Sequence, residues 1–344
     1  MSAAPTSEGG SADPTPVQPQ VGPPVATTAP AGTAGATTPA GTAGTTAAGR
    51  AGGGHGWWFG PVPLARIAVF RAVAYLFVPV DVFLTTAWVH AHAAVPTEFY
   101  QPLAIGRLLH LPNPTPTVVH VVQWALVGAA VLAATGRAPR LLGTAVFLLY
   151  LEWMVIAMSY GKVDHDRIAY LVALAVLPTV GRARWRDRRS SEAAGWAMAA
   201  VFVAVVLTYF FAAWAKVRFG GWDWATGSTL SRAIVRRGTV LSDWMLEVPG
   251  LLPAAQWAML VLEFASPLML LVRSDRARVA LVAFLLGFHL TVYASVAIVF
   301  LPHCVAILSV LPWERFPDAV RRRRDRPGRR TATRAQPVGA APPG

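Results

Sequence analysis

Lys216 is the residue on which the chemistry of this chain turns. Of its 30 lysines and arginines only Lys162 and Lys216 are lysines. Lys216 ends the apolar run Tyr209-Phe210-Phe211-Ala212-Ala213-Trp214-Ala215. Arginine keeps its proton in a protein, whereas a desolvated lysine can give it up. Lys216 is therefore a candidate proton-handling group, or else a cation that snorkels to the membrane surface from a helix end. His165, in Asp164-His165-Asp166, is either an imidazole held and oriented by two carboxylates or the exposed start of a helix capped by one of them. Glu263 and His289 lie deep in apolar segments, where an ionisable group is costly unless paired or facing a polar cavity. They fit a hydrogen-bonded pair that holds two helices together, as does Asp81 with Arg66 or Arg71, while Glu152 needs a similar partner. His90 and His92 would share a face on a strand, but two histidines alone are a weak metal signal. No metal-ligand spacing, phosphate loop or dinucleotide fingerprint is present, so no metal is inferred.

The elements that carry these groups are apolar. The chain of 344 residues is 54% hydrophobic and 14% charged, against about 25% charged in soluble domains. Several segments approach the roughly 20 residues that cross a bilayer as a helix. The expected fold is an all-α, polytopic transmembrane helical bundle of about eight spans in contact with the lipid bilayer. Those spans cover 64–88, 117–134, 141–160, 166–180, 194–217, 252–272, 279–300 and a shorter 301–311. The loop 218–250, with Leu230, Ile234, Leu241 and Met245 between arginines, suits helices lying in the interface as a lid. Residues 1–55 are Ala, Gly, Thr, Pro and Ser without an apolar signal segment, and should be disordered. Residues 56–316 form the membrane domain and 317–344 a basic tail.

The net charge of +13 comes from arginines clustered in short loops and in that tail. This is how a membrane protein fixes its orientation, and it argues against nucleic acid. Arg137/Arg140, the run Arg182–Arg189, Arg273/Arg276/Arg278 and Arg321–Arg324 all fall inside if eight spans place both termini in the cytoplasm of a multi-pass cell-membrane protein. His165 and Lys216 then share one depth on the outer side. Cys304 is the only cysteine, which excludes an intrachain disulfide.

The run Phe211-Ala212-Ala213-Trp214-Ala215-Lys216-Val217, with Trp224 through Gly227 to Leu230, resembles the lysine signature of vitamin K-dependent γ-carboxylases. The signature is shared with their bacterial relatives, the horizontally transferred transmembrane domain family. Asp164-His165 leading into Tyr170-Leu171 is similar to that family's histidine element, and the His289 region to its later histidine-bearing helix. The resemblance covers about 64–316, with Ala213 where the signature has glycine. It implies a base at Lys216 that deprotonates a reduced quinone (vitamin K or menaquinol), with O2 and CO2 as co-reactants and His165 assisting. Trp214, Trp222 and Trp224 would wall a flat ring, with His289 and Glu263 near it. The stretch after Phe316 does not resemble the carboxylases' large lumenal domain, which leaves peptide carboxylation open while quinol chemistry within the bundle stays compatible with the residues. The alternatives are a non-enzymatic lipid or small-molecule transporter, a membrane scaffold, and an assembly partner of a soluble redox protein.

Overall fold

The computed structural model describes residues 59–316 and Gly344. The expected disordered segment 1–55 and most of the basic tail lie outside the described residues. What is described is an all-α helical bundle with one two-stranded ribbon, Val62–Pro63 (β1) against Ser190–Ser191 (β2). The principal helices are α1 (Leu64–Val80), α2 (Pro116–Ala134), α3 (Pro139–Met158), α4 (Ile168–Val176) and α5 (Glu192–Gly220). They continue as α6 (Thr229–Arg237), α7 (Leu251–Phe264), α8 (Asp275–Val296) and α9 (Leu301–Ile307).

Five helical stretches are long and apolar enough to cross a membrane: Leu64–Thr85, α2, α3, α5 and α8. Their outward faces carry large apolar side chains in water-accessible positions, among them Leu76, Leu132, Leu141, Phe211 and Leu290. A soluble monomer rarely exposes so much contiguous apolar surface, and a bilayer would cover it. These features are those of an integral, multi-pass membrane protein. The other three expected spans are short, and proline accounts for each. Pro178 sits in the 3-10 turn that ends α4, Pro267 in the one that follows α7, and Pro302 stands in the first turn of α9 with Pro312 beyond its end. Each removes a backbone donor that a longer helix needs.

Helix starts follow from local chemistry. The hydroxyls of Thr115, Ser191 and Ser274 accept from the amides of Val118, Ala194 and Ala277, which caps α2, α5 and α8. Gly221, at φ +63°, turns the chain out of α5, and Gly250, at φ +78°, starts α7. Pro79 deprives α1 of one intrahelical bond, and the helix widens into a π-turn over Asp81–Thr85.

That turn carries a buried polar network. Arg167 donates to both carboxylate oxygens of Asp81 at 2.5 and 2.7 Å, Tyr150 donates to the same carboxylate at 2.9 Å, and Thr85 completes the set. Asp81 thus pairs with Arg167 rather than with Arg66 or Arg71, the partners expected from nearness in sequence. Arg66 instead makes a bidentate pair with Glu314. Arg71 donates to the carbonyls of Leu177, Val180 and Gly181, in and just past the 3-10 turn that follows α4. Both carboxylate oxygens of Glu152 are buried without a hydrogen bond among the described residues. The core joins α1, α2, α3, α4, α5 and α9 around Phe70, Tyr150, Trp153 and Tyr170.

Candidate functional site

One apolar cavity of about 270 Å³ gathers most of the reactive side chains. Helix α5 supplies Thr208, Tyr209, Ala212 and Lys216, which recur at helical spacing along one face. Helix α7 contributes Gln256, Met259 and Glu263, spaced three and four apart. Phe288, His289 and Val292 come from α8, and His303 from α9. His165 and Asp166, in the turn His165–Arg167 before α4, reach the same space, and Leu230 and Ala233 of α6 cover it.

Two polar centres interrupt this apolar lining. In the first, Lys216 Nζ donates to Glu263 Oε1 at 2.6 Å and to Oε2 at 2.5 Å. The lysine side chain is 21% exposed and the carboxylate 7%. The ammonium also lies 5.1 Å from the Trp224 ring centre, within cation–π range. In the second, Tyr209 Oη and His289 Nε2 are hydrogen-bonded at 2.7 Å. The His289 and His303 ring centres are 5.4 Å apart. Among the described residues, His289 Nδ1 and both nitrogens of His303 are buried without a partner. Unbonded buried imidazole nitrogens are costly, so this end of the cavity suits a ligand or water that offers a polar atom.

The structure sorts the residues singled out from sequence. Lys216, Glu263, His165, His289 and Trp224 line one cavity. Glu263 and His289 do not pair with each other, because each has a nearer partner on α5. His165 is exposed at the cavity edge, and no hydrogen bond reaches its ring among the described residues. Asp164 bonds Lys162 at 2.8 Å and makes no cap. Trp214 and Trp222 do not line the cavity. Trp214 is two residues, hence about 200°, around the helix from Lys216 and is exposed. Trp222 stacks on Trp257 instead, ring centres 6.0 Å apart. The His90/His92 pair lies on a short helix, Val89–His92, not a strand. His92 faces Tyr160 there and His90 faces His120. No group of three or more metal-ligating side chains occurs among the described residues.

Among the lining residues that escaped the sequence reading are Tyr209, Gln256 and His303. Tyr209 and Gln256 each lie seven positions before a charged residue already singled out, so helical spacing alone points to them. His303 follows Pro302 in a segment that reads only as apolar.

Gln256 fixes the cavity cover. Its amide nitrogen is shared among the carbonyls of Trp224, Ala225 and Gly227, at 2.8–3.1 Å. Its oxygen accepts from the amide of Leu230 at 2.7 Å. No protein-family model, no curated protein and no solved structure matches the chain.

Proposed function

We propose that the chain is an integral membrane enzyme of the carboxylase-like, horizontally transferred transmembrane domain type. It acts on a reduced quinone held between α5, α7 and α8. The observation that carries this reading is the joint presence of Lys216, Glu263 and His165 on one apolar cavity. An aromatic ring with hydroxyl groups suits walls formed by Trp224, Phe288 and Met259.

The base is the Lys216–Glu263 pair taken together. Whichever of the two carries the shared proton, the pair takes up one more from an acidic O–H and ends as ammonium plus carboxylic acid. The ammonium then faces the phenolate it has helped to form. His165, exposed at the edge, passes the proton to water. The oxidant that completes turnover to a quinone epoxide is O2. The active side is placed outside and both termini in the cytoplasm of a multi-pass cell-membrane protein, on the arginine distribution.

Membranes containing the protein, given menaquinol or vitamin K hydroquinone, should form quinone epoxide, and those with Lys216→Ala should not. Equal epoxide from both ends the enzymatic reading. The second reading is a lipid or small-molecule carrier or scaffold, favoured by the same ion pair acting only to hold α5 to α7. It predicts no epoxide from wild type in any quinol assay, and a Lys216→Arg variant as stable as wild type, since a guanidinium keeps the pair.

A further inference from the structure

The loop before α5 holds a second concentration of chemistry that the cavity does not use. Arg182, Arg184, Arg186 and Arg189 line a concavity of about 570 Å³ with one acid, Asp187. Asp187 is taken: Arg189 donates to both its oxygens, at 2.6 to 3.3 Å. Arg182, Arg184 and Arg186 have no carboxylate partner among the described residues. Guanidinium groups on one concave wall repel one another until a ligand with several acceptor oxygens enters, and their fork geometry matches a phosphate.

The loop is held in place on both flanks. The carbonyls of Arg189 and Asp187 accept from Leu64 and Ala65, the first amides of α1, and β1 pairs with β2 beside them. On the other flank Arg71 grips the carbonyls of Leu177, Val180 and Gly181. The concavity therefore sits where two long apolar helices, α1 and α5, both begin. At 1.5 Å per residue it is roughly 40 Å along α5 from Lys216. Trp185 is 56% exposed there, with the Arg186 guanidinium 4.1 Å from its ring centre. An exposed indole beside cations at the end of an apolar helix is the composition of a membrane–water interface.

We infer that this concavity is a headgroup site for an anionic phospholipid. Arg182, Arg184 and Arg186 take the phosphate diester, and Trp185 lies against the glycerol region. Clustered arginines at the end of an apolar span attract such lipids over zwitterionic ones. The inference rests on α1 and α5 crossing the bilayer.

The test uses the full chain reconstituted into discs of phosphatidylcholine with a minority of phosphatidylglycerol. The lipid kept through mild detergent extraction is then quantified by mass spectrometry. Wild type should retain phosphatidylglycerol enriched several-fold over its share in the disc. Arg182→Gln/Arg184→Gln/Arg186→Gln should retain it near that share, and Arg273→Gln/Arg276→Gln, outside the concavity, should behave as wild type. Equal loss in both variants, or no enrichment in wild type, overturns the site in favour of diffuse positive charge. Displacement of the lipid by inorganic phosphate assigns the concavity to a free anion and overturns the lipid. A wild-type chain that fails to enter discs refutes the spanning helices and with them the lipid site. Should the triple glutamine variant not fold, the triple lysine variant decides. It keeps the charge and loses the fork, so reduced enrichment supports the site and full enrichment overturns it.

Discussion

Lys216 and Glu263 are 47 positions apart in sequence, yet Nζ lies 2.6 Å from Oε1 and 2.5 Å from Oε2. The pair ties α5 to α7 at the cavity wall. Removing one member of a buried ion pair costs about 3–5 kcal/mol, because the other charge stays behind. Lys216→Met should therefore lower the unfolding midpoint in detergent sharply, and Lys216→Met/Glu263→Leu should recover much of the loss. A double variant as unstable as the sum of the single ones would show that the two groups are not coupled.

The Asp81–Arg167 pair is the deeper of the two, with side chains 0% and 7% exposed. Asp81→Asn should cost on the order of 3–5 kcal/mol by the same argument. Tyr150→Phe, which removes one charge-assisted hydrogen bond to Asp81, should cost about 1.5–3 kcal/mol. Because Arg167 is two residues from His165, Asp81→Asn should also loosen the cavity edge. Faster labelling of a cysteine placed at His165 in that variant would register it.

Two glycines should respond in opposite directions to the same change. A Cβ on Gly195 would overlap the Gly60 carbonyl oxygen, so Gly195→Ala must push the segment just before β1 away from α5. The expected cost is about 1–3 kcal/mol. Gly128, within α2, meets nothing within 4 Å, and Gly128→Ala should gain about 0.5–1 kcal/mol from helix propensity. Unfolding midpoints of the two variants check both signs.

The Glu314–Arg66 pair predicts a pH dependence. Burial pushes the Glu314 carboxyl up, but hydrogen bonding and charge from Arg66 outweigh it and hold the group below the usual carboxylate range. A carboxyl with a depressed folded value contributes stability that is complete above its unfolded value, about 4.3, and is lost as pH falls through the folded value. Glu314→Gln should flatten this part of the stability profile below about pH 4.3 and leave its shape near neutrality unchanged. An unchanged acid limb in the variant would remove Glu314 as its source.

Side-specific labelling tests the arrangement of the cavity. In a Cys304→Ala background, cysteines at Val163 and Val240, 58% and 87% exposed, should react with an impermeant reagent from the same face of the membrane. A cysteine at Arg184 should react only from the other. Labelling of Val163 and Val240 from opposite faces would contradict a cavity shared by His165 and Lys216.

Sequence made the five long helices legible because length and hydropathy are local properties. It also marked Lys216, Glu263, His165, His289 and Trp224, since charged or aromatic residues stand out against hydrocarbon. The pairings were not legible. Asp81 finds Arg167, 86 residues on, only because a π-turn rotates it and α4 packs beside α1. Likewise Glu263 and His289 turn to Lys216 and Tyr209, which α5 places between them. The three shortened helices depend on where prolines fall within apolar runs, and hydropathy averages do not register single donors. His303 gave no signal because its neighbours are as apolar as any lipid-facing run.

One side chain gathers the polar contacts of the cavity cover, which also packs through Ile234 against Leu252 and Val296. Gln256 ties the backbone at Trp224, Ala225, Gly227 and Leu230 to α7 through two atoms. Such a fastening cannot loosen piecemeal: lifting any one of those residues strains the others, so the flap is either latched or released as a block. A change at that one carboxamide is therefore felt at both ends of the cover at once.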